Sequence, residues 1–160
     1  MGTPGSGSAR NPIGGPTTAD SPEATVVRAF LASLELLDVD RATGLVAPDL
    51  VYENVSLPTI HGRRGLQRAL TTFTRVATGF EAHTHRLAAN GPVVLTERTD
   101  VIEVGRLRVS FWVCGTFEVH HGQITLWRDH FDWLNVTGAA LRGVLGAVLP
   151  GLRAGAPEGR

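Results

Sequence analysis

Arg98 and Asp100 stand two residues apart in the run Val93–Val104. In a strand, successive side chains alternate between faces, so residues two apart share one. One face then carries Val94, Thr96, Arg98, Asp100, Ile102 and Val104, and the other carries Val93, Leu95, Glu97, Thr99, Val101 and Glu103. Arg98 and Asp100 thus fall between apolar neighbours, whereas Glu97 and Glu103 share a face that is more easily solvated. The run Gln123–Asp132 groups Trp127, Asp129 and Phe131, although Ile124 and Leu126 make its other face partly apolar too. If the Trp127 face is the inward one, Asp129 joins Arg98 and Asp100. Tyr52 and Asn54, again two apart, share a face of the run Leu50–Val55.

A buried charge is costly unless it is paired and hydrogen-bonded. Two carboxylates with an arginine between them meet that demand in either of two ways. One is a structural ion pair that fixes the register of a sheet. The other is an acid–base pair: two nearby carboxyls in a dry pocket resist ionising together, so one holds a proton while the other can accept one. The second alternative requires Tyr52 and Asn54 to converge on the same cavity.

The elements that must position these groups follow from periodicity. Ser21-Pro22-Glu23 reads as a helix start, with a cap, a proline at the first position and an acid at the positive end of the dipole. Val26, Phe30, Leu34 and Leu37 then recur at helical spacing. A short helix is expected over 41–46, stopped by Pro48, then a strand Leu50–Val55, then a helix over about 63–77 with Leu66, Leu70 and Phe73 on one side. Four extended runs follow, at 80–87, 93–104, 106–119 and 123–132. Turns at Asn90-Gly91, Gly105 and His121-Gly122 separate them. An apolar helix is expected over 138–149. Helices followed by a meander of long strands give an α+β class. The N-terminal helices would pack into one concave face of a curved sheet. Residues 1–20, rich in Gly, Pro, Ser and Thr, read as a flexible tail; 21–153 form one domain, and 154–160 a loose C-terminus.

Composition narrows the function classes. The chain has 160 residues, 42% of them hydrophobic, and a formal net charge of zero. It therefore lacks the basic field that holds a phosphate backbone, and nucleic acid is not an expected partner. All 15 basic residues are arginine. The single cysteine, Cys114, rules out an internal disulfide and suits a reducing compartment. No run reaches the length of a membrane span, and the N-terminus lacks the apolar block of a signal peptide, so a cytoplasmic location is expected. His83 and His85 have a spacing that could hold a metal, but no third ligand is near in sequence, and no metal or other cofactor is expected. Cys114 falls on the Trp112 face as a small packed residue. Trp112, opposite the expected pocket, suits a dimer interface.

Four segments carry a resemblance to a known family: Leu50-Val51-Tyr52-Glu53-Asn54, Leu95-Thr96-Glu97-Arg98-Thr99-Asp100, Phe111-Trp112-Val113-Cys114-Gly115 and the run from Ile124 to Asp132. Together they resemble the limonene-1,2-epoxide hydrolase family, in particular its mycobacterial members, over roughly residues 22–150. Any one segment would be weak; five polar positions on three separated strands matching together are specific. The resemblance implies a curved mixed sheet with helices closing a deep pocket, the cone shared by cystatin-like and nuclear-transport-factor-like proteins, and a homodimer. It implies hydrolysis of an epoxide to a vicinal diol without a cofactor. Carried over by residue, the general acid falls on Asp100, the general base on Asp129 and the bridging arginine on Arg98. Tyr52 and Asn54 fall on the residues that hold the attacking water, and Trp127 on a pocket-lining position. The aromatic Tyr common in the family after the base is His130 here, which alternation turns away from the site.

Ligand pockets are largely apolar, so Leu31, Leu34, Phe73, Phe111, Val113 and Trp127 are the expected wall for an apolar substrate of terpenoid, sterol-like or fatty type. The same cone serves other chemistries. An isomerase or cyclase of the ketosteroid-isomerase type would need a lone acid–base carboxylate and an oxyanion site. A non-catalytic dimeric module with a greasy pocket would need neither.

Overall fold

A computed structural model of the chain describes residues 21–54 and 57–131. The tails expected at 1–20 and 154–160 and the helix expected at 138–149 lie outside the described residues.

Helix α1 (Pro22–Glu35) begins as its residues dictate: the Ser21 hydroxyl accepts from the Ala24 N–H at 3.1 Å, with Pro22 in the first turn. Its apolar side, Ala24, Val27, Phe30, Leu31 and Leu34, is buried. Full burial of a side chain the size of Phe30 or Leu31 contributes about 1.5–3 kcal/mol. Helix α2 (Val39–Gly44) is capped by the Asp38 carboxylate, which accepts from the Arg41 N–H at 2.9 Å. It ends two residues before the expected limit. Strand β1 (Val46–Asn54) starts at once and runs through Pro48, which is exposed where the pairing with the neighbouring strand shifts register. Proline has no N–H to give a ladder and is tolerated at such a break. A two-residue strand, β2 (Ile60–His61), was not expected, because so short a run has no period. Helix α3 (Arg63–Val76) buries Leu66.

The four long strands are β3 (Gly79–Asn90), β4 (Val93–Val104), β5 (Leu107–His120) and β6 (Gln123–His130). They meet at the expected turns. Gly91 and Gly105 have positive φ, and His121-Gly122 has positive φ at both positions, as a tight hairpin with right-twisted strands requires. The sheet runs β2-β1-β6-β5-β4-β3, antiparallel throughout except where β1 lies parallel to β6. That mixed α+β sheet is the expected class. Helix α1 packs on one face of β3, β4, β5 and β6, and α3 packs on β1, β2 and α2. The core forms between α1 and the sheet, where Phe30 meets Phe117 and Trp127 edge-on, with ring centroids at 6.3 and 5.0 Å.

One irregularity settles which way β6 faces. Glu118 pairs with Leu126, but Val119 pairs with Ile124, so Thr125 is an extra residue on β6. Ile124 before this bulge and Trp127 and Asp129 after it therefore all point inward and are buried.

Candidate active site

Four ranks of residues cross the sheet. In the first, Asn54 of β1 lies beside Asp129 of β6, which faces Gly115 of β5, which faces Thr96 of β4. In the second, Tyr52, Trp127, Phe117 and Val94 stand in the same order. In the third, Arg98 faces Val113, and in the fourth, beyond it, Asp100 faces Phe111. Alternation places all the polar members on the inner face.

Arg98 joins the ranks. Its side chain is 1% exposed. Nε donates to Asp100 Oδ1 at 2.8 Å, Nη2 to Asp129 Oδ2 at 2.7 Å, and Nη1 to Thr96 Oγ1 at 3.1 Å. To reach Asp129, the guanidinium crosses over Gly115. Asn54 Nδ2 donates to the Tyr52 hydroxyl at 2.8 Å, and the Tyr52 ring stacks on Trp127 with centroids 3.9 Å apart. Among the described residues, two buried acceptors, Asp129 Oδ1 and Asn54 Oδ1, have no partner.

Burial governs the protonation states. It pushes the Asp100 carboxyl up to about 6, against the pull of Arg98. It raises Asp129 as well, again opposed by Arg98. The Trp127 indole N–H favours the ionised Asp129 without reaching hydrogen-bond geometry. Burial, then the Asp129 charge, raises Tyr52, so its phenol stays protonated. Burial works against the Arg98 charge, but Asp129 and Asp100 outweigh it and hold the guanidinium protonated. One cation between two carboxyls that both resist ionising is an arrangement suited to holding one shared proton.

The structure thus gathers Asp100, Arg98, Asp129, Tyr52, Asn54 and Trp127 into one cluster. Val113 is buried next to it, and Phe111 is half-buried at its edge, its ring 5.7 Å from that of Phe131. Leu31 and Leu34 are buried in the same core as Trp127. Phe73 lies farther out: it meets Phe80 edge-on at 6.1 Å, and Phe80 pairs with Ile102, two residues beyond Asp100. Thr96 and Gly115 belong to the cluster but carried no functional weight in the sequence. A missing side chain leaves no mark in an apolar period, and a threonine on a mixed face is unremarked. His83 pairs with Glu81 and His85 with Thr99. Among the described residues no group of three His, Cys, Asp or Glu is placed to hold a metal ion, and no helix is long and apolar enough to cross a membrane.

Residues 21–142 match the limonene-1,2-epoxide hydrolase catalytic domain. The chain belongs to the limonene-1,2-epoxide hydrolase family. It is 48% identical over 130 residues to the epoxide hydrolase EphG of Mycobacterium tuberculosis, covering 80% of this chain and 85% of that one. The solved structure of an M. tuberculosis epoxide hydrolase like those of the limonene-1,2-epoxide hydrolase family superposes with a TM-score of 0.77 at 45% identity, over 81% of this chain and 96% of the other. A SnoaL-like polyketide cyclase from Shewanella denitrificans superposes at a TM-score of 0.67 with 13% identity, over 73% and 95%; that likeness is one of fold alone. The match covers every residue of the cluster, from Tyr52 to Asp129.

Proposed function

We propose that the protein adds water to an apolar epoxide and releases a vicinal diol, in one step and without a cofactor. The observation that carries this reading is the Arg98 fork, which holds one oxygen of each buried carboxyl and leaves Asp129 Oδ1, like Asn54 Oδ1 at the paired position of β1, without a partner among the described residues. A water donating to both acceptors and accepting from the Tyr52 hydroxyl would satisfy all three groups. Epoxide oxygen is a poor leaving group at neutral pH. Opening the ring needs a proton delivered to that oxygen while another leaves the attacking water, and each such transfer contributes about 10²–10⁴-fold.

Asp129 takes the water proton as the new carbon–oxygen bond forms. The ring carbon–oxygen bond breaks, and Asp100 gives its proton to the departing oxygen. Asp129 then carries the proton taken from water and Asp100 is ionised, and transfer of a proton from Asp129 back to Asp100 resets the pair. Burial suits both roles, since a raised carboxyl is a stronger base when ionised and a proton donor near neutrality when not. Arg98 offsets the negative charge throughout.

Trp127, Leu31, Leu34, Val113, Phe111 and Phe73 give the apolar wall for a terpenoid, sterol-like or fatty epoxide. Two carboxyls bridged by an arginine favour hydrolysis over isomerisation, which needs a lone carboxylate and oxyanion donors. The protein works in the cytoplasm as a homodimer. Its outer sheet face, where Trp112 and Leu95 are about half exposed, is the surface for the second copy. A panel of apolar epoxides assayed for diol tests the reading. Diol from at least one, abolished in Asp100→Asn and Asp129→Asn, is the expected result; no diol from any epoxide, or diol from either variant, would refute it.

A further inference from the structure

Arginine and carboxylate most readily meet end-on, with both terminal nitrogens of the fork on both oxygens of the acid. Asp129 is not held that way. Only Nη2 bonds it, and Nη1 is turned to Thr96 Oγ1 instead. Thr96 is 2% exposed, and its hydroxyl in turn donates to the Gly115 carbonyl at 3.5 Å. Gly115 lies beneath this contact. A β-carbon there would stand 2.4 Å from Arg98 Nη1, 2.6 Å from Thr96 Oγ1 and 3.0 Å from Asp129 Oδ1. Its φ is not positive, unlike that of Gly62, Gly91, Gly105 and Gly122. Glycine is required at this position for room, not for backbone conformation.

We infer that Thr96 and Gly115 form a seat that draws Arg98 Nη1 away from Asp129 Oδ1 and so keeps that oxygen free for water. They are positioning residues: neither touches the reacting atoms, and both act through Arg98. Nη1 and Oδ1 stand 2.4 and 3.0 Å from the same point above Gly115, so a guanidinium released by Thr96 has that carboxylate oxygen close by as an alternative acceptor. A bidentate Arg98–Asp129 pair would occupy the oxygen that receives the proton and would hold Asp129 more firmly ionised, as a weaker base. The inference rests on the acid–base reading of Asp100 and Asp129.

The test compares Thr96→Val, which keeps shape and removes the hydroxyl, with Thr96→Ser, which restores it. The substrate is an epoxide that the wild-type protein converts to diol. Thr96→Val is expected to lower kcat by about ten- to a hundredfold, the cost of misplacing a catalytic group, with KM little changed. Thr96→Ser is expected to stay near wild type. Among the described residues, Arg98, Asp100, Tyr52 and His130 are charged or titratable groups that act on Asp129, and all but the Arg98 contact are untouched by the substitution. The acid limb of the kcat profile, set by Asp129, should therefore move to lower pH in Thr96→Val. Should the valine variant not fold, Thr96→Ala is read in the same way.

Wild-type kcat and an unmoved acid limb in Thr96→Val, beside an inactive Asp129→Asn, would overturn the seat and leave the acid–base pair standing. Turnover in Asp129→Asn would overturn the pair, and the seat with it.

Discussion

Arg98 and Arg108 each bridge two carboxylates, and they behave in opposite ways. Arg98 joins Asp100 and Asp129 under α1, with its side chain 1% exposed. Arg108 joins Glu81 and Glu103 on the other face, with its side chain 45% exposed. Arg108 grips Glu81 with both terminal nitrogens, each at 2.9 Å. There the arginine's hydrogen bonds hold the Glu81 carboxyl below its ordinary value. Arg98 likewise holds two carboxyls, yet burial prevails there and both are raised. Solvent decides the sign. Outside, the arginine lowers the acid it grips; inside, burial raises both acids despite it.

The largest difference between the two clusters should appear in turnover. Asp100→Asn and Asp129→Asn are each expected to lower kcat by at least about 10²–10⁴-fold with the circular-dichroism spectrum unchanged. Glu81→Gln and Glu103→Gln should leave kcat as it is. Comparable losses from both clusters would erase the distinction.

Stability should separate them next. Removing one partner of a buried ion pair leaves an uncompensated charge and costs about 3–5 kcal/mol, so Arg98→Met should unfold at markedly lower urea concentration. Removing an exposed partner costs about 0–1 kcal/mol, so Arg108→Met should unfold close to wild type.

The pH dependences should have opposite signs. Asp100 binds its proton more tightly in the folded chain than at its ordinary value of 3.8. Its contribution to stability is therefore fully present below that value and lost as pH rises through about 6. Glu81 is lowered from 4.5, so its contribution is present above that value and lost as pH falls. Urea midpoints against pH, compared between wild type, Asp100→Asn and Glu81→Gln, read both slopes. Loss of the Asp100 proton should also draw kcat/KM down as pH rises past about 6.

The smallest effect is that of salt. Exposed charges are screened over about 8–10 Å at physiological ionic strength, and buried pairs much less. The difference in stability between wild type and Arg108→Met should shrink in added salt, and that for Arg98→Met should persist.

How much of this was legible in the sequence varied from strand to strand. Regular alternation along β4 placed Arg98 and Asp100 together, and the structure keeps them on one face. Along β6 the same rule was ambiguous for a physical reason: the extra Thr125 turns both Ile124 and Trp127 inward, so neither face reads as purely apolar. Resemblance, not periodicity, brought Asp129 in. Tyr52 and Asn54 were found by their spacing, but the start of their strand was hidden by Pro48, which normally ends an element. Gly115 was illegible because its contribution is the absence of a side chain. Its role emerges only once three chains, from Arg98, Thr96 and Asp129, are seen to meet above it.

In the proposed reaction Asp129 acts on water and does not itself attack the ring. A single turnover in water enriched in heavy oxygen, with protein in excess over epoxide, tests it most directly. The first diol formed should carry one oxygen from solvent, with Asp129 retaining its own oxygens. Diol carrying an unlabelled protein oxygen, with heavy oxygen appearing in Asp129, would contradict it.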